Sequence, residues 1–167
     1  VQGALCTCFS GQCYLSAFIG GNSGNRGACK QPCRKRYSID RNGFDGLSYK
    51  LSLSDLCVGE DVEKFAEAGV SSFKIEGRMR SAAYVGSAVR YYRDILDKTG
   101  DLRADFSDLK RAYNRGDYTK GYAFGQDKNL VSSAIQGHKG EKIGEIAKIH
   151  KSGKYAFVRS SYVPSDG

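Results

Sequence analysis

Apolar and polar positions change period several times along the chain, and each period predicts an element. Residues 1–19 alternate small, apolar and cysteine residues, which predicts a strand or extended segment running into a loop. Residues 20–46 hold turn formers throughout, from Gly20-Gly21-Asn22 to Asn42-Gly43 and Asp45-Gly46, and predict a long loop of the kind that is usually functional. Regular patterning starts at residue 49. Residues 49–53 predict a short strand, 60–68 a helix with acids in its first turn and Gly69 past its end, and 70–75 a second strand. Ser81 is placed to cap a long helix at about 82–98, with Val85, Val89, Tyr92, Ile95 and Leu96 as its apolar stripe. This β-α-β-α order predicts two parallel neighbouring strands. A further amphipathic helix is expected over 105–115, ending at Gly116, followed by an irregular stretch over 117–140. Residues 143–150 and 155–160 predict a hairpin about Lys151-Ser152-Gly153-Lys154.

Composition narrows the class. With 167 residues, 40% apolar and 26% charged, the chain can bury a core and is not disordered in character. No apolar run approaches the roughly 20 residues of a membrane helix, and no leader pattern opens the chain, so a cytoplasmic protein without a membrane partner is expected. It begins at Val1 rather than Met, which leads us to expect a processed product or a fragment. The net charge of +8 is uneven, with seven bases against two acids in residues 1–50. The densest run is Lys30-Gln31-Pro32-Cys33-Arg34-Lys35-Arg36, with Tyr37 beside it. Such a run suits RNA, its charge meeting the backbone and the aromatic a base, and equally suits a solvated surface. Asn114-Arg115 with Tyr118, Tyr122 and Phe124 offers a second RNA candidate, although those aromatics also suit a core.

The six cysteines, at 6, 8, 13, 29, 33 and 57, all lie in the first third. Three disulfides would suit a small secreted binding domain, but the cysteine-free remainder reads as ordinary globular α/β. Clustered thiols beside a normal core point instead to a metal or an iron–sulfur cluster. The spacing has neither paired zinc knuckles nor the tight ferredoxin run, so it leaves these choices open. The two histidines are His138 and His150, with no HExxH and no GxSxG. A thiol nucleophile at Cys13 or Cys29 paired with His138 therefore stays open. Lys74 and Glu76 share a strand face, and Arg78 follows on the loop. This set suits an anionic substrate and a positioned proton donor, or equally a buried ion pair. Arg80 reads as a surface base.

Several strings carry a family resemblance. They are Gly3-Ala4-Leu5-Cys6, Gly11-Gln12-Cys13-Tyr14-Leu15-Ser16, Asn25-Arg26-Gly27-Ala28-Cys29-Lys30-Gln31-Pro32-Cys33-Arg34 and Ser54-Asp55-Leu56-Cys57. Phe73-Lys74-Ile75-Glu76-Gly77-Arg78-Met79-Arg80 with Tyr84-Val85, Asn114-Arg115-Gly116, Thr119-Lys120-Gly121-Tyr122 and Gly137-His138-Lys139-Gly140 follow in order. Together they resemble the collagenase-like peptidase family of unclassified mechanism, peptidase family U32, over nearly the whole chain.

The resemblance implies an α/β fold: residues 1–135 as the C-terminal half of a (β/α)8-type barrel, and 136–167 as the start of a small β-barrel domain. The missing N-terminal half of the same protein would then be a partner. Relatives in this family are named as proteases or collagenases, and others as RNA hydroxylation proteins that oxidise a pyrimidine in tRNA or rRNA. A related pair in quinone hydroxylation holds four-iron–four-sulfur clusters. By that likeness Cys6, Cys13 and Cys29 match cluster ligands, with Cys33 or Cys57 as the fourth and Cys33 preferred. Cys8 has no family role and reads as a small buried hydrophobe. Glu76, at the carboxyl end of a barrel strand, would act in catalysis with Lys74 and Arg78, Lys74 and Glu76 facing the barrel interior and Arg78 on the loop that follows. Prephenate is implied as a co-substrate. The resulting expectation is an iron–sulfur-dependent RNA hydroxylation protein, the alternative a thiol- or metal-dependent peptidase.

Overall fold

A computed structural model describes residues 1–9, 12–42, 46–125, 127–160 and 162. In chain order its elements are β1 (Gln2–Ala4), α1 (Leu15–Gly20), β2 (Asp55–Cys57), α2 (Val62–Glu67), α3 (Ala82–Asp97), α4 (Leu102–Ala112), β3 (Tyr118–Thr119), β4 (Gly144–Ile149) and β5 (Ala156–Ser160). Short 3-10 turns lie at Gly24–Arg26, Pro32–Arg34 and Gly59–Asp61. The fold is mixed α/β with two small sheets, and no closed barrel forms among the described residues. No helix among them is long and apolar enough to cross a membrane.

The first sheet runs β1-β2-β3, with β2 antiparallel to β1 and parallel to β3. Beyond β1, Ile75 forms a parallel bridge with Gln2, and the Glu76 amide donates to the Gln2 carbonyl at 2.8 Å. The expected strand at 49–53 is absent, and so is its parallel pairing with 70–75. The backbone of 48–54 is drawn away to other partners. Tyr49 donates to the Ser133 carbonyl, Ser132 to the Ser52 carbonyl and Ser54 to the Leu130 carbonyl. A strand forms only beyond the expected span, at β2, and the 70–75 segment contributes only the bridge at Ile75. α1 is a short helix where a loop was expected. Its buried Ser16 accepts the Lys30 amide at 3.0 Å and so anchors the long loop.

α3 begins where expected. The Ser81 side chain accepts the Tyr84 amide at 3.2 Å, satisfying one of the orphan donors of the first turn. Its buried face is Tyr84, Ala88, Tyr91, Tyr92 and Ile95, whereas Val85 and Val89 are exposed. Two apolar stripes lie side by side on this helix, about 100° apart. The tyrosine stripe takes the core because it fills more volume and its hydroxyls find partners. Tyr84 accepts from Gln2, while Tyr92 donates to the Val1 carbonyl and accepts from the Gly59 amide. α3 packs on α4, whose Asp101 cap accepts from Arg103 and Ala104. α4 starts at Leu102 and ends at Ala112, three residues earlier at each end than the pattern suggested. The core so formed joins α3, Val62, Leu109, Cys57 and Val58. The hairpin β4–β5 forms as expected, antiparallel, with a register shift between Ile146 and Lys148.

Candidate functional site

Most of the candidate residues lie where β1 ends and the loops after α1 and Ile75 come together. β1 leads through Leu5 into Cys6 and Cys8, Cys13 stands just before α1, and Cys33 sits in the turn Pro32–Arg34. The Cys8 thiol hydrogen-bonds Cys13, and that bond first, then burial, then the sulfurs of Cys13, Cys6 and Cys33, push its pKa up. Three other sulfurs thus lie close enough to Cys8 to act on it. Cys8 is a member of this group and partly exposed, not the buried hydrophobe expected from sequence. Cys29 is exposed, and its sulfur accepts the Gln31 amide at 3.2 Å. Cys57 lies elsewhere, in the core on β2, 3.6 Å from the Tyr92 hydroxyl, with burial pushing its thiol up. All six cysteines are free, and no three metal-ligating side chains converge as a metal-holding group among the described residues.

Arg34 corrects the reading of the basic run. Its side chain is 4% exposed and cannot meet a phosphate in solvent. It donates to Ser52 Oγ at 2.9 Å, to the Leu53 carbonyl and to the Leu5 carbonyl at 2.9 Å. One guanidinium therefore ties the residue before Cys6 to the residue after Cys33, a fork geometry that lysine lacks. Burial lowers the Arg34 pKa from its usual value. Lys30, Lys35 and Arg36 remain exposed, and the Arg36 guanidinium lies 5.3 Å from the Tyr49 ring. Tyr37 is half-buried, its hydroxyl donating to the Pro32 carbonyl at 2.9 Å.

Glu76 crosses β1 at close range. A Cβ at Gly3 would stand 2.6 Å from Glu76 Cβ, so only glycine fits there. Glu76 Oε1 accepts the Arg78 amide at 3.1 Å, and Lys74 Nζ lies 3.8 Å from Oε2. The Lys74 side chain is 84% exposed, so it faces solvent and not the enclosed barrel interior expected of it. Arg78 is exposed and leans toward the Asn25-Arg26-Gly27 turn, where a Cβ at Gly27 would lie 4.0 Å from its guanidinium.

Beneath this loop sits a network that sequence reasoning missed. Asp55, 1% exposed, pairs with Arg80 at 3.4 Å and with Arg115 Nε at 3.6 Å. Arg80 lies 3.6 Å from the centre of the Tyr113 ring, and Arg115 donates to the Tyr113 hydroxyl at 3.2 Å. Arg80 is therefore an inner clamp, not a surface base, because a buried carboxylate and a ring face receive it together. The available signal was Asp55 inside Ser54-Asp55-Leu56-Cys57, an acid with no assigned partner, while Arg115 was read as an RNA contact. Asn114 and Arg115 are both buried, and Tyr118 donates to the Tyr113 carbonyl at 2.6 Å, so this part of the second RNA candidate is core. Phe124 and Tyr122 are its exposed members, with Lys64 5.1 Å from the Phe124 ring centre. Phe124 stands on a cleft of about 980 Å³ shared with Tyr91, Arg103, Phe106 and Lys120.

His138 does not serve a thiol nucleophile. Its Nδ1 accepts the Asn114 amide at 3.1 Å, its Nε2 lies 3.1 Å from the Arg111 carbonyl, and its ring stacks on Tyr113. Both nitrogens are thus engaged by backbone, and the pairing with Cys13 or Cys29 that the sequence left open is not made. His150 is held by Ser152 in the hairpin turn.

The family model of peptidase family U32 matches residues 1–133. The chain belongs to peptidase family U32. Within that family it is 36% identical over 137 residues to an uncharacterized protease of Methanocaldococcus jannaschii, covering 74% of this chain and 33% of the relative. It is 39% identical over 110 residues to a 23S rRNA 5-hydroxycytidine synthase of Escherichia coli, covering 64% of this chain and 17% of the relative. It is also 37% identical over 135 residues to a collagenase of Porphyromonas gingivalis, covering 75% of this chain and 37% of the relative. The chain spans about a third or less of the first two relatives and somewhat over a third of the collagenase. No solved structure matches it.

Proposed function

We propose that this U32 chain is part of an iron–sulfur-dependent RNA hydroxylation protein acting on a pyrimidine base of tRNA or rRNA. The observation that carries this reading is the gathering of the Cys6, Cys8, Cys13 and Cys33 thiols beside a loop of exposed bases. Soft thiolates are the donors an iron–sulfur cluster takes, so the donor set fits the group in its chemistry. Cys6, Cys13 and Cys33 would hold the cluster, with Cys29 or Cys8 completing the set. The cluster would supply one-electron chemistry when bound. The chain's own residues would do the rest. Arg34 fixes the spacing of the two cysteine segments, and Lys30, Lys35, Arg36 and Arg78 hold the RNA backbone. Glu76 sits at the loop beside them, positioned by Gly3 and the Arg78 amide, where it can exchange a proton with the base.

On this reading residues 1–135 form the second half of a (β/α)8-type barrel, and 136–167 open a small β-barrel domain. Relatives named for tRNA hydroxylation, such as one from Bacillus subtilis at 36% identity over 106 residues, support the RNA side.

The test is iron and acid-labile sulfide, with the visible spectrum, on the full chain purified without oxygen. About four irons per chain and a broad visible band are expected, and Cys13→Ser should lose most of both. A colourless, iron-free protein overturns the cluster reading.

A further inference from the structure

We propose that Met79 is the side chain this protein presses against a nucleobase of its RNA; the inference rests on the RNA reading above. Residues 77–80 form a tight turn, closed by the Arg80 amide on the Gly77 carbonyl at 3.0 Å. Met79, third in that turn, has φ +67°. Glycine is the residue favoured at that position with that φ, and an unbranched apolar side chain is strained there. Among the described residues two other non-glycine positions share a positive φ, Gln31 and Lys98, and each has a local reason. Lys98 caps the end of α3, and Gln31 leads into the Pro32–Arg34 turn. Met79 caps no helix.

Its side chain gains nothing from the fold either, being 88% exposed. Yet both ends of the turn are held fast. A Cβ at Gly77 would stand 2.7 Å from Val85 Cγ2, and Arg80 is clamped by Asp55 and the Tyr113 ring. Strain that the surroundings hold in place, at an exposed apolar side chain, points to a contact made outside the chain. The neighbours select the partner. Arg78 precedes Met79 and leans over the basic Asn25-Arg26-Gly27 turn, and Glu76 is three residues back. A base face suits a thioether, whose polarizable surface packs on aromatic rings, while the adjacent guanidinium takes the phosphate. Apolar side chains of this kind also wedge between base steps.

The experiment measures the affinity of the full chain for a fluorescent, single-stranded, pyrimidine-rich RNA oligonucleotide, alongside its melting temperature. Met79→Gly relieves the turn and removes the contact. It should weaken binding about tenfold, in the range of one lost base stack, while the melting temperature stays level or rises. Met79→Leu keeps the apolar contact and should stay within about threefold of the parent. Unchanged affinity in Met79→Gly overturns the inference and leaves the RNA reading standing. A fall in melting temperature together with lost binding also overturns it, since the side chain would then serve the fold. Failure of the parent chain to bind the oligonucleotide overturns both.

Discussion

Arg34 shows how much one buried side chain fixes. Its three acceptors are Ser52 Oγ and the carbonyls of Leu53 and Leu5, and no carboxylate among them neutralises its charge. Removing the guanidinium leaves buried carbonyls unpaired, so Arg34→Met should cost about 2–4 kcal/mol of stability. Lysine reaches fewer of the three acceptors, so Arg34→Lys should still lower the urea midpoint, by less. If Arg34 sets the spacing of Cys6 and Cys33, the lysine variant should also bind less iron at temperatures where it stays folded. A lysine variant with the parent's midpoint would refute this account of the fork. The residue was visible in sequence as one of four bases in a short run. Its inward turn was not, because its partners are backbone carbonyls of segments far along the chain. Cys8 was misread for a related reason: its companions Cys13 and Cys33 become neighbours only through the folded loop.

At the scale of elements, α3 and α4 were legible nearly whole. Ser81 announces the start of α3, and the 3.6-residue period runs through both, although the Asp101 cap that starts α4 was passed over and that helix was set three residues late. The buried stripe of α3 was legible only in its second half, at Tyr92 and Ile95; Val85 and Val89 were expected inside and Tyr84 and Tyr91 were not, since valine outranks tyrosine in hydropathy. The pair also carries a titratable contact. Asp105 of α4 is 7% exposed and has one carboxylate oxygen without a partner. Burial first, then a hydrogen bond with Asp94 of α3 and its charge, hold the Asp105 carboxyl above its ordinary pKa; Asp108 adds to this and Arg90 opposes it. A carboxyl raised on folding favours the folded state at pH below its unfolded value, and that contribution is lost as pH rises through the folded value. Stability should therefore climb as pH falls from neutral toward the carboxyl range. Asp105→Asn should flatten this part of the profile and raise the melting temperature at neutral pH by a few degrees. Melting curves across pH on parent and variant check it, and parallel profiles would count against it.

For the molecule as a whole, the later helices and the hairpin were readable and the strands of the first sheet were not. The segment 49–53 looked like a strand because its residues suit one, but the Tyr49 amide and the Ser52 carbonyl go to 132–133, in a stretch with no regular pattern. Sheet order depends on such non-local pairings, which leave little trace in local hydropathy. The hairpin β4–β5 was readable because its pairing is local. Ile146, Ile149, Phe157 and Val158 are each more than half exposed. With so little burial, its amides should exchange with deuterium well before those of α3, a difference that mass spectrometry of peptic fragments resolves. Equal protection of the two would contradict this ranking.

The burial of Cys57 beneath Tyr92 gives the molecule a built-in reporter. Five sulfurs are at least partly open to a small alkylating reagent, and the sixth is shielded by the core. A native titration with such a reagent should therefore stop one equivalent short of the denatured count. The slow arrival of that last equivalent would time the openings of the core itself, without any denaturant.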